Sequence, residues 1–202
     1  FCRFTQVSRE TIISLKKYEK LIIDANNGCN LIGKSTLNYI WTRHFLDSSQ
    51  VIDFIDKNDK TLVDIGSGAG FPGLVLAILA KDRKINLKIR LIEKNKQKTF
   101  FLKRVISDLA LDVDVENQNI LSRPCKLNDD LITARAFKPL GIILQFLNEK
   151  AENWKKIFLF MGKTGKNNLL QASKGWNIEY KQRMSITSSD SIVIEINKLK
   201  KK

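Results

Sequence analysis

The sequence is poor in several chemically informative residues. It holds three cysteines (Cys2, Cys29 and Cys125, widely spaced and odd in number) and one histidine, His44. No CxxC or Cys/His ligand spacing can be assembled from them, so no metal site is expected and no disulfide framework is defined. A reduced, cytoplasmic setting follows as an expectation. No apolar run approaches the ~20 residues that span a bilayer. The longest, Leu74 to Ala80, has seven residues and follows a glycine-rich turn, so it reads as a buried helix and no membrane association is expected. Charges run through the first thirty residues, so no cleavable leader is expected. The first residue is Phe1 and not a methionine, so whether it is the true start stays open. There is no internal repeat and no low-complexity tract.

Positive charge is abundant. Thirty-five Lys and Arg against 21 Asp and Glu give +14 in 202 residues. An excess of this size favours a polyanion, nucleic acid before an anionic membrane surface. The terminal Lys198, Lys200, Lys201 and Lys202 read as a solvated end. At 43% hydrophobic and 28% charged residues, the chain can bury the core of one domain.

Residues 1–56 read as an N-terminal helical extension and 57–202 as the main domain. Ile12, Ile13, Leu15, Tyr18, Leu21 and Ile22 recur at helical spacing, and a second helix is expected over 36–55. Asn26 to Asn30 is a turn-rich break between them. From Thr61 onward, short apolar strands alternate with helices. Strands are expected at 62–65, 89–92, 113–115, 131–134 and 157–161, with a closing pair at 176–180 and 192–196. The helix after the second strand places Phe101, Val105 and Leu109 on one face and Lys96, Lys98, Lys103 and Arg104 on the other. This alternation predicts an α/β fold, a doubly wound and mostly parallel sheet with helices on both faces.

Asp64-Ile65-Gly66-Ser67-Gly68-Ala69-Gly70-Phe71-Pro72-Gly73 joins the first strand to the apolar helix. Ligands of open α/β sheets bind beyond the carboxyl ends of the strands, and glycines let backbone approach a ligand closely. The dinucleotide fingerprint GxGxxG fails here, because its last position is Phe71. No GKS or GKT follows, so this is not a Walker loop. An acidic residue two places before GxGxG is instead the pattern of S-adenosylmethionine enzymes. Asp64 would organise the loop or meet the methionine ammonium, while Gly66 and Gly68 make room. Glu93, closing the second strand, is placed to accept ribose hydroxyls.

Enzymes that methylate an exocyclic amine carry an Asn/Asp-Pro-Pro-aromatic motif after the fourth strand. Here that strand runs into Thr133-Ala134-Arg135-Ala136-Phe137. Methylating a pyrimidine carbon needs a cysteine nucleophile, and Pro124-Cys125 falls before the fourth strand rather than at its end. An acceptor that is already nucleophilic, such as guanine N7, needs positioning and little else.

Three blocks bear on a family: Asn30-Leu31 followed by Arg43-His44-Phe45-Leu46-Asp47-Ser48, then Val63 to Gly73, then Ala134-Arg135-Ala136-Phe137. Over about residues 10 to 196 the chain resembles the 16S ribosomal RNA guanine-N7 methyltransferases, also called glucose-inhibited division protein B. The resemblance implies the class I S-adenosylmethionine-dependent methyltransferase fold, with ribosomal RNA of the small subunit as partner. It places Gly66 and Phe71 beside the cofactor and Asn119, Ile120 and Leu121 near the adenine. Arg135 falls at the cofactor–substrate boundary, as the catalytic candidate. Arg43, His44 and Lys163 are the candidate substrate contacts. Met161-Gly162-Lys163 departs from the Lys-Gly more frequent in the family.

On residue chemistry alone, Arg135 would bind an anion or guanine O6 with its planar fork, or pair with a loop carboxylate. Arg43 and Asp47, four apart, would pair on one helical face. A small-molecule methyltransferase, and a non-catalytic RNA- or ribosome-binding module with the same fold, stay open as alternatives.

Overall fold

The computed structural model describes residues 1–122 and 126–202, so the Pro124-Cys125 pair lies outside the described residues. After a short helix, α1 (Cys2–Thr5), comes α2 (Arg9–Asn26), capped by Ser8, whose hydroxyl accepts from Thr11 N. The apolar stripe expected for this helix is buried at Leu15, Tyr18, Leu21 and Ile22, whereas Ile12 is only half-buried and Ile13 faces outward.

The single helix expected over 36–55 is replaced by a broken series. It consists of a 3-10 turn at Lys34–Tyr39, a π-helix at Trp41–Leu46, α3 (Asp47–Ser49) and a 3-10 turn at Ile52–Phe54. The π segment closes with Asp47 N bonding to Thr42 O, one residue further back than an α-helix reaches. Widening the turn rotates the residues beyond it. Arg43 and Asp47 therefore do not pair on one face; the Asp47 carboxylate turns to Arg135 instead.

The remaining elements are β1 (Thr61–Ile65), α4 (Gly73–Asp82), β2 (Lys88–Glu93), α5 (Lys96–Leu109), β3 (Val113–Asn117), β4 (Leu131–Arg135), α6 (Leu140–Lys150), β5 (Lys156–Met161), α7 (Gly165–Gly175), β6 (Trp176–Met184) and β7 (Ile192–Lys201). They form one seven-stranded sheet in the order β3-β2-β1-β4-β5-β7-β6, parallel except where β7 runs antiparallel to β5 and β6. The closing hairpin is longer than expected. Lys198, Lys200 and Lys201 belong to the closing strand with their side chains exposed, and Lys198 pairs with Glu179 at 2.8 Å on the surface.

Period-two alternation divides the strands between two cores. Leu62, Leu91, Leu131 and Phe158 join α2, α4 and α5 on one face. Val63, Ile65, Ile92, Ile132 and Leu159 pack against α6 on the other. The chain runs outward from β1 to β3 and then returns to β4 on the opposite side of β1, so the topological switch, where such folds bind ligands, lies between β1 and β4.

Tyr18 joins α2 to that switch. It is fully buried, its ring 5.4 Å from Phe45 and 5.6 Å from Phe71, and its hydroxyl donates to Ala69 O. Tyr18→Phe should leave the fold intact and cost ~1 kcal/mol, the net worth of one buried hydrogen bond. Urea titration should show a lower midpoint with an unchanged slope; an unchanged midpoint would mean that the bond contributes nothing to stability.

Candidate active site

At the end of β1 the chain turns on glycines that no other residue could replace without strain. Gly66 and Gly68 have φ of +71° and +60°. A Cβ at Gly66 would lie 2.2 Å from the Phe137 ring, whereas at Gly68 the nearest atom is Gly66 O at 3.9 Å. Gly66 is thus closed in by protein, while Gly68 faces open cleft. The turn is fastened from two sides. Gly66 N and Ser67 N donate to Ile92 O at 2.8 and 3.2 Å, and Gly68 N donates to Glu93 Oε2 at 2.9 Å.

Asp64 sits beneath this turn and does not line the cleft. It is 1% exposed; Oδ2 accepts from Gly73 N at 3.1 Å and Oδ1 from the Thr133 hydroxyl at 3.0 Å. Burial pushes its carboxyl up to about 6, against these bonds, which favour the anion. Of its two expected roles, the geometry shows the organising one.

Above the turn lies a cleft of about 530 Å³, within the usual range for a small-molecule site. Gly66, Gly68, Phe71, Glu93, Asn119, Ile120, Leu121, Arg135 and His44 line it together. Glu93 Oε1 also accepts from Asn95 N at 2.8 Å, so backbone holds both carboxylate oxygens in place, each with a lone pair to spare. Arg43 and Lys163 do not line this cleft. Lys163 is exposed in the turn after β5, and Arg43 is exposed on the far side of Arg135, with its carbonyl accepting from Arg135 Nη2.

His44 stacks on Phe71, with centroids 4.8 Å apart and planes inclined by 22°, and its Nε2 lies 3.0 Å from Thr36 Oγ1. Burial first, then Arg135 and Arg43, lower its pKa to about 3. Arg135 extends from the end of β4 over Phe71, its Cζ 5.9 Å from the ring centroid, and pairs with Asp47 at 3.2 Å. Burial lowers its pKa, opposed by Asp47. Among the lining residues that sequence reasoning did not single out are Phe137, which packs on Gly66, and Lys94 and Lys138. Phe137 had a signal, as it stands in the Ala-Arg-Ala-Phe block; nothing local marked the two lysines.

The sheet order and a glycine-floored cleft at the switch point define a class I S-adenosylmethionine-dependent methyltransferase. Solved structures share the fold. A SAM-dependent methyltransferase from Aquifex aeolicus matches with a TM-score of 0.58 at 16% identity, covering 83% of this chain and 94% of that one. TrmK of M. capricolum in complex with S-adenosyl-homocysteine matches with a TM-score of 0.56 at 20% identity, covering 75% and 67%. The family model described as GidB, rRNA small subunit methyltransferase G, matches residues 11–194. The ribosomal RNA small subunit methyltransferase G of Pelagibacter ubique (strain HTCC1062) is 39% identical over 198 residues, 97% of this chain and 92% of the relative. That of Rickettsia akari (strain Hartford) is 33% identical over 196 residues, 97% and 98%. The chain belongs to the rRNA small subunit methyltransferase G family.

The cleft residues fit the cofactor, since a Cβ at Gly68 would project into the cleft and Glu93 retains acceptor capacity at its rim. Gly68→Ala should cost ~1–2 kcal/mol of stability through its left-handed backbone. It should lower S-adenosylmethionine affinity further, because the new methyl enters the cleft; Glu93→Ala should weaken binding by roughly 1–3 kcal/mol. Calorimetric titration checks both, and unchanged affinity in folded variants would remove these residues from the site.

The lone histidine permits a pH test. With its folded pKa below the unfolded value of ~6.5, His44 stays neutral in the folded protein between pH 5 and 8. Its imidazole proton resonances should show no titration over that range. The folded state binds this proton less readily than the unfolded state, so the stability it contributes is complete above ~6.5 and declines as pH falls towards 3.

Proposed function

We propose that this protein transfers a methyl group from S-adenosylmethionine to N7 of a guanine in small-subunit ribosomal RNA, acting in the cytoplasm on the subunit or its RNA. The family match over residues 11–194, which takes in the whole cleft, carries this reading. Gly66, Gly68 and Phe71 would hold the cofactor's methionine end, Glu93 its ribose, and Asn119, Ile120 and Leu121 its adenine. Bound there, S-adenosylmethionine supplies an electrophilic methyl group.

The charged groups around the cleft favour this acceptor. In this reading the spare lone pairs of Glu93 go to the ribose hydroxyls, and Asp64 is buried beneath the turn and off the cleft, so neither carboxylate is assigned to remove a proton. Neutral His44 is held by its stack on Phe71. Guanine N7 has an in-plane lone pair and no proton to lose, so orientation alone can supply ~7–11 kcal/mol of catalysis. The +14 charge supports an RNA partner through phosphate neutralisation, with Lys94, Lys98 and Lys138 at the cleft mouth.

Incubating the protein with labelled S-adenosylmethionine and small-subunit particles or their RNA, then mapping the product, tests the reading. Label is expected at a guanine N7; label at an exocyclic amine or a pyrimidine carbon would refute it. Arg135→Ala should remove most of the transfer in a folded protein. Arg135→Lys should restore little, because an ammonium lacks the planar fork. Parental rates in both variants would make Arg135 purely structural.

A further inference from the structure

A second cavity, of about 210 Å³, opens beyond the carboxyl ends of β4 and β5, with Arg135 and Ala136 forming the wall it shares with the cofactor cleft. It is smaller than the ~300 Å³ at which whole small-molecule sites begin. Its other walls mix apolar and polar groups: Phe160 and Met161 from β5, Arg43 and Asp47 from the π-helix and α3, and Thr187 from the β6–β7 turn.

The pairing of Asp47 with Arg135 leaves unused hydrogen-bonding capacity of two complementary kinds. Asp47 Oδ1 accepts from Ser185 Oγ at 2.9 Å, Thr187 Oγ1 at 3.0 Å and Gln50 Nε2 at 2.9 Å. Oδ2 takes the Arg135 Nη2 at 3.2 Å and has a lone pair to spare. Arg135 Nη2 serves Arg43 O and Asp47, whereas Arg135 Nη1 is buried with no partner among the described residues. A buried donor without an acceptor costs ~1–3 kcal/mol, so an orphan at the wall between two cavities calls for a ligand acceptor.

We propose that this second cavity is the acceptor-base subsite, and that the Arg135–Asp47 pair selects guanine by donating to O6 and accepting from N1–H. The proposal rests on the function proposed above and deepens it. A donor and an acceptor side by side match the O6/N1–H edge of guanine and oppose adenine, which presents a donor at position 6 and an acceptor at N1. Reading that edge leaves the neighbouring N7 unengaged on the side of the shared wall, toward the cofactor cleft. Phe160 and Met161 supply apolar surface for the ring. Asp47 is then a specificity residue, held by the β6–β7 turn through Ser185 and Thr187.

The test replaces the mapped target guanine in a synthetic RNA fragment. Inosine keeps O6 and N1–H and should be methylated within a few-fold of guanine. 2,6-Diaminopurine keeps N7 but reverses that edge, and should lose roughly 100-fold. Asp47→Asn should raise KM for the guanine RNA and narrow the guanine-to-diaminopurine ratio, while S-adenosylhomocysteine affinity by calorimetry stays unchanged. Equal rates on inosine and diaminopurine would overturn the subsite whatever the variant does. An Asp47→Asn protein that loses activity on both bases equally would overturn the role of Asp47, reducing it to a structural tie. Failure of the unmodified guanine fragment to gain methyl at N7 would overturn the proposed function itself, and that control reports separately from the analogues.

Discussion

Asp64 is the constraint from which the cofactor cleft is built. A carboxylate at the end of a central strand has little access to water, and burial moves its pKa up to about 6. It is retained because three elements meet on it: β1, which carries it; β4, through Thr133; and the start of α4, through Gly73 N. Those bonds set where the intervening turn begins and ends. The glycines then have to cover a short span in left-handed conformations, which brings Gly68 under Glu93 and opens the cleft above. A neutral side chain of the same shape would spare the desolvation cost of the anion, but it would bind these donors less strongly.

A second buried carboxylate, Asp47, has the corresponding role on the other side of Arg135. It gathers Gln50, Ser185 and Thr187 on one oxygen and Arg135 on the other. The closing hairpin is thereby tied to the segment after α2, far from it in sequence, and Arg135 is held over Phe71 rather than swinging into solvent. The two carboxylates thus shape neighbouring walls around Arg135: Asp64 fixes the glycine turn below the larger cleft, and Asp47 lines the smaller cavity proposed as the acceptor subsite.

This division suits a transfer in which no proton is removed. Such a site needs placement and electrostatic compatibility more than a reactive side chain, and its ionisable groups are held by local bonds. His44 illustrates the point. An exposed histidine titrates near neutrality, whereas here burial and two arginines keep the ring uncharged, so it serves as a flat surface against Phe71.

Much of this was legible in the chain itself. The short apolar runs at β1, β2, β4 and β5 alternate with helical periodicity, and a buried parallel sheet follows from that pattern wherever the interior is dry. The Asp64-to-Gly73 turn could be read because positive φ restricts certain positions to glycine, a property of the residue alone. Glu93 was legible as a strand-end acid for the same reason of place. The region at 34–54 was not. Its apolar residues suit a helix, but Ile40, Phe45 and Val51 are buried in one core with α2 and the sheet through a series of 3-10 and π turns that local periodicity does not encode. The partner of Asp47 was equally hidden, since helical spacing offered Arg43 four residues away and the wider π turn carried the carboxylate elsewhere. Local chemistry determined the strands, the glycine turn and the strand-end acid, because these depend on backbone preference and period. The tertiary structure decided which charges meet, because ion pairs form between whichever side chains the packed elements bring within reach.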